Sequence, residues 1–305
     1  MKIVSVGEIL WDLVEGREFL GGAPLNFALH AARLGHQTLM VSAVGDDDRG
    51  LRSLAEISAR ALSTDFISRV PGHPTGTVTV EVSHHGVPDY VIHRPAAYDF
   101  PVLDAAALNS LASPLPDWIY FGTLQQLSPA AHQVLKTIFA AAPHARRCYD
   151  INLRRDSYTP ELIQNLLSAV DVLKLNEDEI SEIAGLLPSP MDASRRNDGR
   201  SNLEQFCRRV SLVFNLQAVC VTRGANGCAL LLRNKDEYVT ASAPSITVAD
   251  TIGAGDAFCA ALVHGIGLNW PARQIAGFAS RVGALVASRY GGSPDWHPSE
   301  IAVTA

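Results

Sequence analysis

Glycine and aspartate are concentrated near the carboxyl end of the chain, where Gly253, Gly255 and Asp256 lie between two apolar segments. The segment 246–248 is typical of a short strand, and the segment 257–266 is typical of an apolar helix. A glycine-rich turn that opens a helix leaves N–H groups unpaired at the positive end of the helix dipole, so an anion can bind there. Because a carboxylate repels a bound phosphate, Asp256 is better explained as a base that takes a proton from a hydroxyl attacking phosphorus. From this segment alone, it is equally possible that Asp256 only caps the helix and has no catalytic role.

Two common phosphate-binding patterns do not occur in the sequence. There is no G-x-x-x-x-G-K-[ST] loop, and Gly253-Ala254-Gly255 lacks the third glycine and the downstream acid of a dinucleotide fingerprint. The turn therefore belongs to another class of anion site.

Four segments, taken in order, resemble the ribokinase-like (PfkB) carbohydrate kinases. They are 21–28, which leads to Leu34-Gly35, then 174–179 with an N-x-x-E pattern, 222–227 and 250–258. One such motif is weak, but the four in the family's order and spacing extend over nearly the whole chain. The resemblance implies an ATP-dependent sugar kinase of one domain, 1–305. It also implies a three-layer α/β/α fold with a mostly parallel central sheet and a small β-sheet lid.

The resemblance assigns the phosphoryl-transfer residues. Gly253, Ala254 and Gly255 are similar to the family's anion hole, which stabilises charge as it develops on the transferred group. Asp256 matches the catalytic base that deprotonates the sugar hydroxyl. Asp250 matches a carboxylate beside a monovalent cation such as K⁺, to which the turn at 291–293 could add carbonyl oxygens.

Nucleotide and metal contacts are implied by two further motifs. Asn176 and Glu179 lie three positions apart and could face one way at a helix start, where they would hold Mg²⁺ through bound waters. The alternative for Glu179 is an ordinary first-turn acid. The family's nucleotide-binding positions are matched by Lys174, Thr222, Gly224 and Gly227. The alternative is that the segment 222–227 is an ordinary glycine turn.

Sugar-binding residues are implied near the amino end. Asp12 matches an acid that accepts hydrogen bonds from sugar hydroxyls, although a surface acid is the alternative. Gly21 and Gly22 would let backbone approach the sugar, and Asn26 could donate to it and accept from it, or cap a helix.

A polar–apolar alternation over 77–83 and an apolar run at 90–93 predict a hairpin with a Gly- and Pro-rich turn. The hairpin at 75–94 corresponds in position to the family's lid, with further lid strands at about 12–20, and a sheet-edge ornament is the alternative. His84-His85 in its turn are expected to be solvated. The apolar stripe of Val78, Val80 and Val82 needs cover, which the parent domain or a homodimer partner could supply.

The sugar itself is less defined by the sequence. Stretches 7–12, 21–27, 74–78 and 150–154 resemble bacterial fructokinases, but 150–154 is also similar to 2-keto-3-deoxygluconate kinases. An acidic sugar would need basic residues, for which Arg94 and Arg154 are the candidates.

The sequence does not decide the acceptor within the family. Ribokinase and nucleoside kinase are further possible activities, and Gln125 and Gln126 are both candidates for a substrate contact. Leu25 stands where fructokinases often have a smaller residue. A non-catalytic regulator is disfavoured because the base and both glycines are intact.

These residues need a scaffold, and short β-branched runs that alternate with helical patterns predict an α/β fold with a mostly parallel sheet. Strands are predicted at 2–6, 38–44, 118–121, 147–150, 172–175 and 218–222. Helices are predicted at 23–34, 51–62, 129–142, 159–169, 177–187 and 203–214, and a surface loop at 188–202.

Composition excludes several classes of function. The 305 residues are 47% hydrophobic, enough for a large core, and the net charge of −6 without a basic cluster argues against nucleic acid and anionic membranes. Neither a signal peptide nor a membrane span is indicated. Five scattered cysteines without C-x-x-C spacing predict neither a zinc site nor a disulfide framework, and a reducing cytoplasm fits them.

Overall fold

Two β-sheets organise the computed structural model, which describes residues 1–14, 16–82, 88–154, 157–188 and 201–301. In these ranges the strands are β1 (Lys2–Val6), β2 (Leu10–Val14), β3 (Arg17–Gly21), β4 (Gln37–Gly45), β5 (Ile67–Val70), β6 (Gly76–Val82), β7 (Pro88–His93), β8 (Trp118–Gly122), β9 (Arg146–Asp150), β10 (Val172–Asn176), β11 (Ala218–Thr222), β12 (Cys228–Leu232) and β13 (Glu237–Ala241).

The large sheet of the described residues has nine strands in the order β13-β12-β11-β10-β9-β8-β1-β4-β5. Its strands pair in parallel from β11 to β5, whereas β12 and β13 form an antiparallel edge. Parallel strands with crossover connections are covered on both faces, which explains the nearly continuous apolar sequences of β1, β8 and β11. Ile3, for example, packs on one face while Val4 packs on the other.

Helices form the two outer layers. On one face α1, α8 and α9 pack over the sheet, and on the other face α4, α5, α6 and α7 do so. The described helices are α1 (Ala23–Arg33), α2 (Asp48–Ala59), α3 (Ala105–Leu111), α4 (Pro129–Ala141), α5 (Pro160–Leu167), α6 (Ile180–Gly185), α7 (Asn202–Val213), α8 (Ala254–Gly267) and α9 (Ala272–Ala287). None of the helices in the described ranges combines the length and the apolar character needed to cross a bilayer.

The small sheet has the order β3-β2-β6-β7 in the described residues. It contains the strands of the hairpin predicted at 75–94. Val78 on β6 is buried in a cluster with Leu10, Tyr98 and Leu124. The side chains of residues 80–90, and the turn with His84-His85, lie outside the described residues, so the predicted stripe is represented by Val78 alone.

Most predicted elements correspond to observed ones, and the differences have local causes. The prediction of a strand at 246–248 was wrong: this stretch is irregular, and after it the N–H groups of Ala249 and Asp250 bond to the last carbonyl of α9. Helix α2 starts before the predicted residue 51 because the Asp47 side chain accepts a hydrogen bond from Gly50 N at 2.7 Å. The predicted loop at 188–202 lies mostly outside the described residues.

Candidate active site

The carboxyl ends of five parallel strands meet at one edge of the large sheet. Glu8 follows β1 and Thr123 follows β8, while Asp150, Asn176 and Thr222 end β9, β10 and β11. In open α/β sheets, ligands bind in the crevice beyond the carboxyl ends of the strands. The polar residues at this edge are therefore the first candidates for a site.

The glycine-rich turn opens α8 at this edge. Gly253 has φ of 74°, and a Cβ there would lie 1.8 Å from the carbonyl oxygen of Gly292, so only glycine fits. The N–H of Ala254 donates to Thr251 O at 3.3 Å, whereas the N–H groups of Gly253 and Gly255 have no acceptor among the described residues. The turn thus offers backbone donors at the positive end of a fourteen-residue helix.

Asp256 lies in the first turn of α8 and is 8% exposed. Its Oδ2 accepts a hydrogen bond from Nδ2 of Asn26 at 2.9 Å, which joins α8 to α1. Burial, and then the negative charge of Asp150, raises the pKa of Asp256 to about 6, against the effects of Asn26 and Lys174. A carboxylate with this pKa is ionised at neutral pH and is a stronger proton acceptor than an ordinary aspartate.

Lys174 and Asp150 form a buried ion pair next to the turn. Nζ of Lys174 donates to both carboxylate oxygens, at 3.0 and 3.1 Å, and Tyr120 OH donates to Asp150 at 3.4 Å. Burial by itself would lower the pKa of Lys174, but Asp150 and other neighbours raise it above its usual value. Since Nζ lies 3.3 Å from where a Cβ of Gly255 would stand, a fixed positive charge adjoins the free N–H groups.

A cavity of about 670 Å³ opens beside the turn, within the size range of small-molecule sites. Asn176, Thr222, Gly224, Gly227 and Gly255 line it, so these predicted nucleotide and phosphate positions converge. Lys174 lies next to Gly255. The lining also includes the apolar residues Ile246, Val248, Phe258, Ala284 and Ala287.

Asn176 and Glu179 form a reciprocal capping box at the start of a short helical turn. Asn176 Oδ1 accepts from Glu179 N at 3.0 Å, and Glu179 Oε2 accepts from Asn176 N at 2.8 Å. The other oxygen of Glu179 accepts from Leu153 N at 2.7 Å. Within the described residues no three His, Cys, Asp or Glu side chains are grouped to hold a metal directly. The second lone pairs of these oxygens still fit water-mediated Mg²⁺, because magnesium keeps much of its hydration shell.

Asp250 holds two backbone segments together. Its Oδ1 accepts from Ile252 N and its Oδ2 accepts from Gly291 N, both at 3.0 Å. The next residue, Gly292, contacts Gly253 and accepts a hydrogen bond from the buried ring of His30. The remaining lone pairs on Asp250 fit a cation. In the structure Asp250 links the loop at 291–293 to the segment that leads into the glycine-rich turn at 253–255.

Close contacts link the predicted sugar-binding residues in pairs: Gly21 adjoins Asp12, and Asn26 N donates to Gly22 O at 2.9 Å. A Cβ at Gly21 would stand 2.6 Å from Asp12 Oδ2, and a Cβ at Gly22, whose φ is 114°, would stand 2.4 Å from Glu8 O. Burial raises the pKa of Asp12 to about 6. Only glycine fits at Gly22, where φ is positive and the contact is with backbone, whereas the atom close to Gly21 is the end of a side chain that can rotate away.

The two arginines differ in their availability. Arg94 forms an ion pair with Asp99 and donates to Leu124 O at 2.8 Å. Arg154 is exposed, and its charge lowers the pKa values of Glu8, Asp12 and Asp256. Arg154 therefore faces the acidic side of the crevice, whereas the charge of Arg94 is already neutralised.

The sequence profile of the pfkB family carbohydrate kinases matches residues 3–298. The chain belongs to the PfkB family of carbohydrate kinases. A fructokinase of Escherichia coli is 26% identical to this PfkB kinase over 95% of the chain and 94% of the relative. A ribokinase of Dictyostelium discoideum is also 26% identical, over 95% of the chain and 90% of the relative.

Solved structures share the fold of this PfkB kinase. An uncharacterized sugar kinase from Pyrococcus horikoshii in complex with ATP aligns with a TM-score of 0.80 at 24% identity, over 98% of this chain and 96% of the other. A 2-dehydro-3-deoxygluconokinase from Thermotoga maritima aligns with a TM-score of 0.81 at 19% identity, over 99% and 98%. The predicted ribokinase-like three-layer fold with a small additional sheet is confirmed.

Three polar groups of this PfkB kinase were not identified as site residues from the sequence. They are Glu8, the carboxylate of Asp150 as the partner of Lys174, and the buried hydroxyl of Tyr98. The positions of Glu8, two residues after β1, and of Asp150, at the end of β9, could have indicated them. Gln125 donates to Gly7 O at 3.3 Å and to Tyr98 O at 2.8 Å, so its amide nitrogen links the backbone after β1 to the backbone at Tyr98.

Proposed function

We propose that this PfkB kinase transfers the γ-phosphoryl group of ATP to a hydroxyl of a neutral sugar, with fructose as the leading substrate. The observation that carries the proposal is Asp256, ionisable and held by Asn26, beside the unpaired N–H groups of Gly253 and Gly255. An acid and an anion hole at one helix start suit a hydroxyl that attacks phosphorus.

The chain's own residues account for each part of the transfer. Asp256 Oδ2 is held by Asn26, so Oδ1 is the oxygen that accepts the proton of the sugar hydroxyl. The N–H groups of Gly253 and Gly255, with the ammonium of Lys174, stabilise the negative charge that develops on the migrating group. The small sheet acts as a lid of the single kinase domain and excludes water, which is a competing acceptor.

Charge favours a neutral acceptor over an acidic one. Glu8, Asp12 and Asp256 are the acids of the sugar side; the charge of Arg154 acts on all three, and that of Lys174 also acts on Asp256. A sugar carboxylate would meet net repulsion there, whereas sugar hydroxyls can donate to the acids. This balance supports fructose over 2-keto-3-deoxygluconate, and the fructokinase relatives support the same choice.

Metal ions complete the proposal. Mg²⁺ would be held through water by Asn176 and Glu179 and would neutralise phosphate charge when bound. A monovalent cation such as K⁺ would be held by Asp250 and by carbonyls of the loop at 291–293.

The five cysteines are all free and buried, which suits a reducing cytoplasm. A homodimer through the small sheet is part of the proposal, although Val78 of the predicted stripe is already covered within the chain.

ADP release over a panel of sugars tests the proposal. Fructose, ribose, a nucleoside and 2-keto-3-deoxygluconate are compared for the wild type, Asp256→Asn, and Asp48→Asn, an exposed first-turn acid of α2 that serves as the matched control. We expect fructose to have the highest kcat/KM, and Asp256→Asn to lose about 10²–10⁴-fold while the control loses nothing. Preferential use of the acidic sugar would reverse the substrate assignment, and full activity of Asp256→Asn would remove the assigned base.

A further inference from the structure

Glu8 is a buried acid on the sugar side that has no step of its own in the phosphoryl transfer described above. It follows β1 at the carboxyl edge of the sheet and is 5% exposed. Its Oε2 has no hydrogen-bond partner among the described residues. A buried carboxyl oxygen without a partner is unfavourable, so native proteins usually provide a partner or leave the atom for a ligand.

Part of the Glu8 carboxyl has a structural role. Helix α1 begins after Gly22, which has no side chain to cap it. Burial raises the pKa of Glu8 to about 7, while the backbone N–H groups of Glu8 and Ala23 bond to the carboxyl and oppose that rise. Glu8 therefore caps α1 from outside the helix. This cap explains one carboxyl oxygen and leaves the other unexplained.

Glu8 adjoins the predicted sugar-binding residue Gly22, since a Cβ at Gly22 would stand 2.4 Å from the carbonyl oxygen of Glu8. The charge of Arg154 lowers the pKa of Glu8, and the charge of Asp256 raises it. The charge of Glu8 in turn contributes to raising the pKa of Tyr98, after burial and the charge of Asp99. Tyr98 is 0% exposed, and its hydroxyl is also without a partner in the described part of the chain. Its ring packs against Gly76, the first residue of β6, where a Cβ would stand 2.6 Å from the ring. Two unsatisfied polar groups thus lie between the start of α1 and the small sheet.

We propose that Oε2 of Glu8 binds a hydroxyl of the acceptor sugar, away from the hydroxyl that Asp256 deprotonates, and thereby helps to select the substrate. The inference rests on the proposed sugar-kinase function but not on fructose as the sugar. A sugar hydroxyl can both donate to a carboxylate and accept from the Tyr98 hydroxyl, so one ligand group could satisfy both atoms.

A cycle of substitutions in protein and substrate tests the inference. Glu8→Ala removes the contact, and Glu8→Gln keeps the shape and the capping oxygen in case the alanine variant does not fold. Steady-state kinetics are measured with the best sugar of the panel and with its monodeoxy analogues. Asp104→Ala, which removes the side-chain cap of α3, is the control for the loss of a helix cap.

We expect Glu8→Ala to raise the KM for the sugar about 10- to 100-fold, with the KM for ATP within about twofold of the wild type. On one deoxy analogue, the one that lacks the contacted hydroxyl, wild type and variant should have similar KM values. Asp104→Ala should change neither KM. An unchanged sugar KM, or an equal loss on every analogue, would overturn the assignment. If another sugar replaces fructose in the panel, the fructose proposal fails and the same cycle, run on that sugar, still decides the role of Glu8.

Discussion

The hydrogen bond from Asn26 to Asp256 should set the pH at which the enzyme becomes active. Asn26→Leu removes the donor while keeping similar volume. A hydrogen bond to a charged group contributes about 1.5–3 kcal/mol, and one pKa unit corresponds to about 1.4 kcal/mol. Because the bond favours the ionised form, its loss should raise the pKa of Asp256 from about 6 to roughly 7–8.

The sign of the effect follows from the role of the base. Asp256 must be ionised to accept a proton, so activity falls as the pH drops through its pKa. At pH 6 about half of the wild-type carboxyl is ionised, but only about a tenth to a hundredth of it in the variant. We expect kcat/KM at pH 6 to fall about 5- to 50-fold from this cause, and the effect to disappear near pH 9.

The assay is the pH profile of kcat/KM, whose acid limb reports the pKa of the free enzyme. Gln217→Leu is the matched control, since Gln217 also donates an amide N–H to a carboxylate, that of Asp171, at 2.9 Å, but at the amino ends of the strands. Its acid limb should remain near 6. If Asn26→Leu lowers kcat/KM by the same factor at every pH, Asn26 affects sugar binding alone and the pKa reasoning is refuted.

Two further substitutions test the scaffold of the anion turn. Gly253→Ala should lower kcat about 10²–10³-fold, because the new Cβ would collide with the Gly292 carbonyl and displace the N–H donors. Gly35→Ala is the control, because Gly35 also has a positive φ but a Cβ there would face open space, and this variant should keep its kcat. If both variants lose the same factor in kcat, backbone strain alone explains the loss. Lys174→Met should lower the free energy of unfolding in urea by about 3–5 kcal/mol, because it leaves Asp150 buried without its cation. A loss below about 1 kcal/mol would contradict a tightly coupled buried pair.

Features that depend on neighbours in the chain could be predicted from the sequence. The turn around Gly253, the start of α8 with Asp256, and the helical periodicity of α1 are local, because backbone conformation and capping involve residues a few positions apart. The order of four motifs was enough to indicate the PfkB family, which the family profile confirmed.

Local signals also misled. The segment 246–248 has the composition of a strand, yet it is irregular, and Ile246 and Val248 line the cavity. Arg94 was one of two candidate cations for an acidic sugar, and the structure pairs it with Asp99 across a turn. Composition cannot distinguish a free cation from a paired one.

The sequence by itself indicated the reaction class, because four motifs occur in the order and spacing of the PfkB family, whereas the segment 250–258 alone left a helix-capping acid as an equal alternative. The tertiary structure decided which side chains surround that segment. It joined Asn26 to Asp256 and Lys174 to Asp150, placed Gly292 against Gly253, and buried Glu8 with one oxygen unpaired. These pairs come from different strands and helices, and their distances depend on sheet register and helix packing, which residue types and spacing do not encode locally.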